Sequence, residues 1–289
     1  MSTNIIKRKK VLAYIDTHWS IGRIFKDLHP YLCDEFEIVY YDWSVHSPND
    51  VLSLLDEFDI FITNLVNIRF FVNAPQHQLK KMIFCCHGSS EIDRAFSFPE
   101  GPVYSIVSKS IISLFPEKMK EKLCHSYNGV SLSNFNHIKR DGKLMKAGWC
   151  GKTHISCKRS FWCNEICNKS GLSLSIAENL SYDEVKEWYN TIDVLLINSG
   201  PNYWEETGPL PVFEAIASGI LVIGVAVGNF AEIPGPKYST IEEAIEIMNE
   251  LKCDNEKVKH ITEEQYQCVK NNWTYETLSK QWREVYNKI

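Results

Sequence analysis

The chain is 289 residues long, with 44% hydrophobic, 12% aromatic and 23% charged residues. That balance excludes a disordered, collagen-like or coiled-coil chain, and the length suits two domains better than one. Its 31 basic and 36 acidic residues leave a net charge of −5, which argues against a nucleic-acid partner. Strand-like apolar runs at 11–15, 37–41, 59–63, 82–86 and 103–107 alternate with helical patterning, as at 48–57 and 108–115. A helix is expected from Ser20, whose side chain is placed to cap it. The rhythm resumes with strands at 144–150, 173–177, 194–198 and 221–225 and helices at 159–168, 182–191 and 210–218. Helices at 242–251, 262–271 and 275–287 follow. Continuous apolar strands alternating with helices predict parallel sheets covered on both faces. The polar stretch 134–142 is the natural boundary between two such sheets.

No apolar run approaches the roughly 20 residues of a membrane-spanning helix, and the chain starts polar and then basic, at Lys7-Arg8-Lys9-Lys10. The expectation is a cytoplasmic protein or one peripheral on a membrane's cytosolic face. Peripheral contact of the basic run with anionic lipid is the sharper reading of that leader, a solvated lead-in to the first strand the plainer one. The ten cysteines are then expected as thiols. Cys150, His154, Cys157, Cys163 and Cys167 crowd one stretch, but their spacing matches no zinc pattern, so no metal is expected.

The densest signal is Glu206-Thr-Gly-Pro-Leu-Pro-Val-Phe-Glu214-Ala-Ile-Ala-Ser-Gly219. Gly208, Pro209 and Pro211 keep Glu206 in a loop, while Glu214 falls in the first turns of the next helix. The opening of that helix, near Gly208 and Leu210, offers free amides and the positive end of its dipole to an anion such as a diphosphate. A carboxylate stands on either side to accept hydroxyl hydrogen bonds. Glu205 competes with Glu206, but Glu206 alone keeps the eight-residue offset to Glu214.

This stretch resembles the E-x7-E motif of retaining glycosyltransferases of the GT-B fold, in the large family 4 (group 1) class. Further landmarks follow in the family's order: His87-Gly88, Tyr127-Asn128-Gly129-Val130, Gly148-Trp-Cys-Gly151-Lys152 with Lys158, Asp193 to Ser199, Gly228 with Glu232-Ile233, and Trp273-Thr-Tyr-Glu276. Lys152 stands where the family carries arginine, and Pro209 where it often has glycine.

The resemblance implies two Rossmann-like doubly wound α/β domains flanking a cleft. These would be an N-terminal acceptor domain over 1–138, shorter than usual, a nucleotide-sugar domain over 139–270, and a final helix (271–289) returning to the first domain. It implies transfer of a sugar, with retained configuration, from a UDP- or GDP-linked donor to a glycan, lipid or protein acceptor, with neither cofactor nor metal. Carried over by position, Glu206 would hold the transferred sugar, Glu214 the ribose hydroxyls, and Lys152 and Lys158 the diphosphate, while His87 would approach the sugar from the other domain. A non-catalytic nucleotide-sugar binding protein of the same fold stays open as the alternative.

Overall fold

In a computed structural model, residues 7–18, 20–96, 100–200 and 206–289 are described; the side chain of Ser20, expected as a cap, lies outside that description. The chain divides into two compact units, Met1–Asn128 with Tyr275–Ile289, and Gly129–Thr274. The polar stretch 134–142 is thus part of the second unit. The reason is local bonding. Val130 N–H donates to Trp273 O at 3.0 Å, and Ile138 N–H donates to Ser218 O at 3.3 Å. The Arg140 guanidinium reaches the carbonyls of Tyr189 and Asn190.

Six parallel strands form the first unit's sheet: β1 (Lys9–Ile15), β2 (Phe36–Asp42), β3 (Ile60–Asn64), β4 (Met82–Cys86), β5 (Val103–Ile106) and β6 (Leu123–His125). Their order is β2-β1-β3-β4-β5-β6. Every residue of β3 and β4 is buried, as a sheet covered on both faces requires. Four short helices belong here: α1 (Ser20–Leu28), α2 (Pro48–Leu54), α3 (Gln76–Leu79) and α4 (Ile92–Ala95). Ser47 and Asp50 form a reciprocal capping box at α2, with Pro48 at its first position. Much of the remaining crossover chain is 3₁₀, including Leu65–Phe71, Lys109–Leu114 and Glu117–Lys122. The helix expected over 108–115 is therefore 3₁₀ rather than α, tightened between the Ser108 cap and Pro116. Rings of Tyr14, Phe61, Phe71, Phe84, Tyr104 and Phe115 pack in an unbroken series on one face of the sheet.

The second unit has four parallel strands, β7 (Lys146–Cys150), β8 (Ser173–Ala177), β9 (Val194–Ile197) and β10 (Leu221–Gly224), in the order β10-β9-β7-β8. Around them lie α5 (Phe161–Ser170), α6 (Tyr182–Tyr189), α7 (Leu210–Ala217), α8 (Ile241–Lys252) and α9 (Asn255–Asn272). Helix α9 starts before the expected 262, where the Asp254 carboxylate accepts Lys257 N–H at 2.9 Å. The closing helix α10 (Tyr275–Tyr286) belongs to the first unit. There Trp282 meets Phe25 edge-on at 5.5 Å between ring centres, and Tyr286 meets Phe36 at 5.0 Å. Trp273 lies in the second unit, packed on Phe213 at 5.1 Å between ring centres.

Strand β10 ends its sheet, and a side chain takes the place of a further strand. Gln265, fully buried on α9, accepts Val222 N–H at 2.9 Å and donates to Val222 O at 2.7 Å. Replacing it by leucine would leave both groups buried and unpaired, at 1–3 kcal/mol for each such group. Gln265→Leu is expected to lower unfolding free energy by about 2–6 kcal/mol in urea titrations.

Candidate functional site

In open parallel sheets, ligands gather where strand order reverses, at the carboxyl ends of the strands. In the second unit that point lies between β7 and β9. Strand β7 runs out through Cys150 into Gly151, where φ is +151° and a Cβ would crowd the Trp149 ring at 3.1 Å; the stem of Lys158 packs beside it, its Cδ 3.4 Å from that position. Lys158 Nζ lies 3.2 Å from Glu206 Oε2, with the two side chains 29% and 24% exposed. Burial lowers the Lys158 ammonium's pKa, but the Glu206 carboxylate outweighs it, and the net shift is upward. The lysine is charged at every physiological pH.

The Glu206 loop is held from below. Gly228, after β10, has φ +45°, and a Cβ on it would fall 2.2 Å from Thr207 O and 2.6 Å from Glu206 O. Asn229 N–H donates to Thr207 O at 2.9 Å. The landmark glycine of the sequence is thus required by the approach of two backbones. Helix α7 then opens at Leu210 behind Pro209, with no side-chain cap. Gly208 and Leu210 are half-buried. Glu214 is buried within α7 and accepts a hydrogen bond from Tyr189 Oη at 3.0 Å.

Lys152 is exposed, beside Glu178, whose carboxylate is held well below its ordinary range by bonds from Thr153 and, more weakly, by the charges of His154 and Lys152. Among the sequence-derived candidates, the structure therefore joins Lys158 to Glu206 and gives Glu214 to Tyr189. Lys152 sits by Glu178. Glu205 lies outside the described residues.

Sequence reasoning missed Arg159. It has φ +45°, its guanidinium lies 4.7 Å from the Trp162 ring, and it presses on Gly200, where a Cβ would come 2.2 Å from Nη2. Gly200, just past β9, was the available signal. Cys163 and Cys167 are buried on α5, and Cys163 Sγ accepts from Asn198 Nδ2 at 3.0 Å. All ten cysteines are free thiols. Among the described residues, no group of three or more His, Cys, Asp or Glu is placed to hold a metal ion, and no helix is long and apolar enough to cross a membrane.

In the first unit, strand order reverses between β1 and β3. Gly22 lets α1 close onto the end of β1, since a Cβ there would fall 1.9 Å from Asp16 O. Asn64, at the end of β3, is buried, and its amide has no hydrogen-bond partner among the described residues. One strand further, burial lowers the His87 imidazole to about 4, so it is neutral at pH 7. The backbone N–H of His87 donates to Glu91 Oε2 at 3.2 Å. Burial raises Glu91 to about 7, overcoming that bond and the Arg94 charge.

No protein-family model matches the sequence, and no curated protein matches it. The fold does find relatives among solved structures. AviGT4, a glycosyltransferase involved in avilamycin A biosynthesis, is 14% identical with a TM-score of 0.65, covering 98% of both chains. An α-glucosyltransferase solved with UDP and a 13-mer DNA is 10% identical with a TM-score of 0.67, over 97% of this chain and all of the other. A DNA-modifying β-glucosyltransferase is 13% identical with a TM-score of 0.56, covering 96% of this chain and 99% of that one. The chain has the GT-B fold of two Rossmann-like units.

Glu91 leads to a pH test. A carboxyl raised from 4.5 to about 7 in the folded state contributes stability that is present below pH 4.5 and lost as pH rises through 7. The opposed His87 contribution is lost as pH falls from 6.5 through 4. Glu91→Gln removes the first and keeps the second. Between pH 5 and 8, wild type should lose about 2–3 kcal/mol relative to this variant in urea unfolding series.

Proposed function

We propose that the chain is a retaining glycosyltransferase of the family 4 type. It would move a sugar from a UDP- or GDP-linked donor to a carbohydrate, lipid or protein acceptor without a divalent metal. The observation that carries this reading is the Lys158–Glu206 pair at 3.2 Å, set where β7 and β9 diverge and immediately before α7. As the bond to the leaving diphosphate breaks, negative charge builds on it. An ammonium group and helix-end amides fixed there stabilise that charge more than they stabilise the ground state.

In this reading Lys158 turns from Glu206 to the diphosphate, helped by Lys152 and by the amides of Gly208 and Leu210. Arg159 adds a cation on the same loop. Glu206, released from Lys158, accepts hydroxyl hydrogen bonds from the transferred sugar. Glu214, oriented by Tyr189, takes the ribose hydroxyls. His87, neutral at pH 7, serves the sugar's O6 or its reacting carbon as a hydrogen-bonding group rather than a cation. The incoming hydroxyl attacks on the face the diphosphate leaves, and its proton passes to the departing phosphate. The acidic balance of the chain keeps nucleic acid off the list of acceptors, although two of the structural relatives are described with DNA.

Glu91 supports a second reading. A carboxyl raised to about 7 is suited to taking a proton from an acceptor hydroxyl, which is the requirement of an inverting transfer. The anomeric proton coupling of the product, read by NMR, decides between the two: retention supports the front-face route, and inversion transfers the role to Glu91.

A thermal-shift screen with UDP, GDP and their sugars should identify the donor, and turnover separates an enzyme from a binding protein. Glu206→Gln is expected to cut transfer by about 10²–10³-fold while nucleotide affinity survives. Lys158→Ala should weaken UDP or GDP binding about tenfold in isothermal titration. Wild-type turnover in Glu206→Gln would refute the assignment.

A further inference from the structure

A cavity of ≈ 240 Å³ opens at the other end of the second unit's sheet, where the strands begin. It lies between the 137–144 segment leading into β7, Asp193 just before β9, Leu221 at the start of β10, and the first turns of α9. The whole length of β7 and β9 separates it from Lys158 and Glu206. It takes no part in the chemistry proposed above and does not rest on it.

The walls are built rather than loose. Asp193 Oδ2 accepts the N–H groups of Met145 and Lys146, each at 2.9 Å, and its Oδ1 meets Arg140 Nη1 at 3.4 Å. Arg140 Nη2 donates to the last carbonyls of α6, at Tyr189 (3.2 Å) and Asn190 (3.3 Å). Gly142 and Gly219 bring backbones together: a Cβ on the first would lie 2.2 Å from Asn255 O, and on the second 2.4 Å from Ile138 O.

Charge in this cavity is one-sided. Four cationic side chains and His137 line it against two carboxylates, Asp193 and Glu263. Asp193 is committed to Arg140 and two amides. Lys259 pairs with Glu256 at 2.7 Å, but among the described residues neither Lys139 nor Lys143 has a carboxylate in ion-pair range. Arg140 Nε and His137 Nδ1 are buried with no hydrogen-bond partner among the described residues. Buried Leu144, Leu221 and Val258 supply an apolar floor. Cations above an apolar surface select a ligand that is itself amphipathic.

We propose that this cavity is a second binding site, for a small organic phosphate with an apolar or planar body. The phosphate sits among Lys139, Lys143 and Arg140, and the body lies on Leu144, Leu221 and Val258. The carbonyls and Asp193 that hold Arg140 fix its position without cancelling the surplus charge of the two lysines.

The test uses the full chain and 1-naphthyl phosphate as probe, with 1-naphthol as the neutral control, in equilibrium dialysis with and without saturating UDP. One saturable site is expected that UDP does not displace, with naphthol bound at least about tenfold more weakly. Lys139→Glu/Lys143→Glu, and separately Thr262→Trp to fill the space, should each weaken binding at least about tenfold. Circular dichroism and melting should show both variants folded. No saturable binding up to roughly 5 mM, displacement by UDP, equal binding by either folded variant, or naphthol binding as tightly as its phosphate would each overturn the proposal. A variant that fails to fold is replaced by Lys139→Gln/Lys143→Gln or Thr262→Phe, read by the same criteria.

Discussion

A parallel sheet buried on both faces must pair its backbone groups along every strand, because an unpaired amide or carbonyl away from water is costly. This constraint organises both units. Strands of three to seven residues carry few buried polar side chains away from their ends, Thr63 and Ser105 among them. Thr63 shows how strictly the interior is kept. Its hydroxyl donates to Tyr14 O at 2.6 Å and accepts from Asn67 Nδ2 at 3.0 Å, so even one buried hydroxyl is doubly bonded. Groups capable of chemistry are therefore found where strands stop: Asp16, Asn64 and His87 in one unit, Lys158, Arg159 and Glu206 in the other.

Once displaced to strand ends, charges need partners that hold them ionised without locking them away. Lys158 and Glu206 meet this need by partial burial. Each keeps about a quarter of its surface in water, and their mutual attraction outweighs the desolvation that burial imposes on the lysine. Asp42 in the first unit solves a related problem differently. Burial alone would raise its carboxyl, yet hydrogen bonds from Ser44 and Thr17 hold it far below the ordinary range. The carboxylate becomes a fixed tie between the ends of β1 and β2 rather than a titrating group.

Much of this was legible in the sequence. Apolar runs gave nine of the ten strands, because a doubly covered strand is written as a continuous hydrophobic run. The exception, β6, is the three half-buried residues Leu123–His125, too short and too mixed to stand out. The 3₁₀ crossovers were unreadable for another reason: i+3 and i+4 spacings look alike over six residues. At the site, glycines and prolines carried the information. Gly228 was recognisable as a landmark, and the structure supplies its cause in the contact with Thr207 O. Contacts made across long chain separations, such as Tyr189 with Glu214 or Arg140 with the end of α6, left no local trace. Residues 134–142 look like a boundary in the sequence for that reason, since polarity alone does not distinguish the gap between two sheets from a wall held by hydrogen bonds.

The way β10 ends its sheet also bears on how the molecule behaves in company. Val222 is matched on its outer side by the Gln265 amide, and two residues further Gly224 O accepts Tyr238 N–H at 3.1 Å, beside a bridge to Lys237. An outer strand with open donors and acceptors is a template on which a second molecule can extend the sheet. Here the chain has already occupied those positions with its own atoms. The flank is sealed against edge-to-edge aggregation, leaving self-association to surfaces other than the hydrogen-bonding rim of β10.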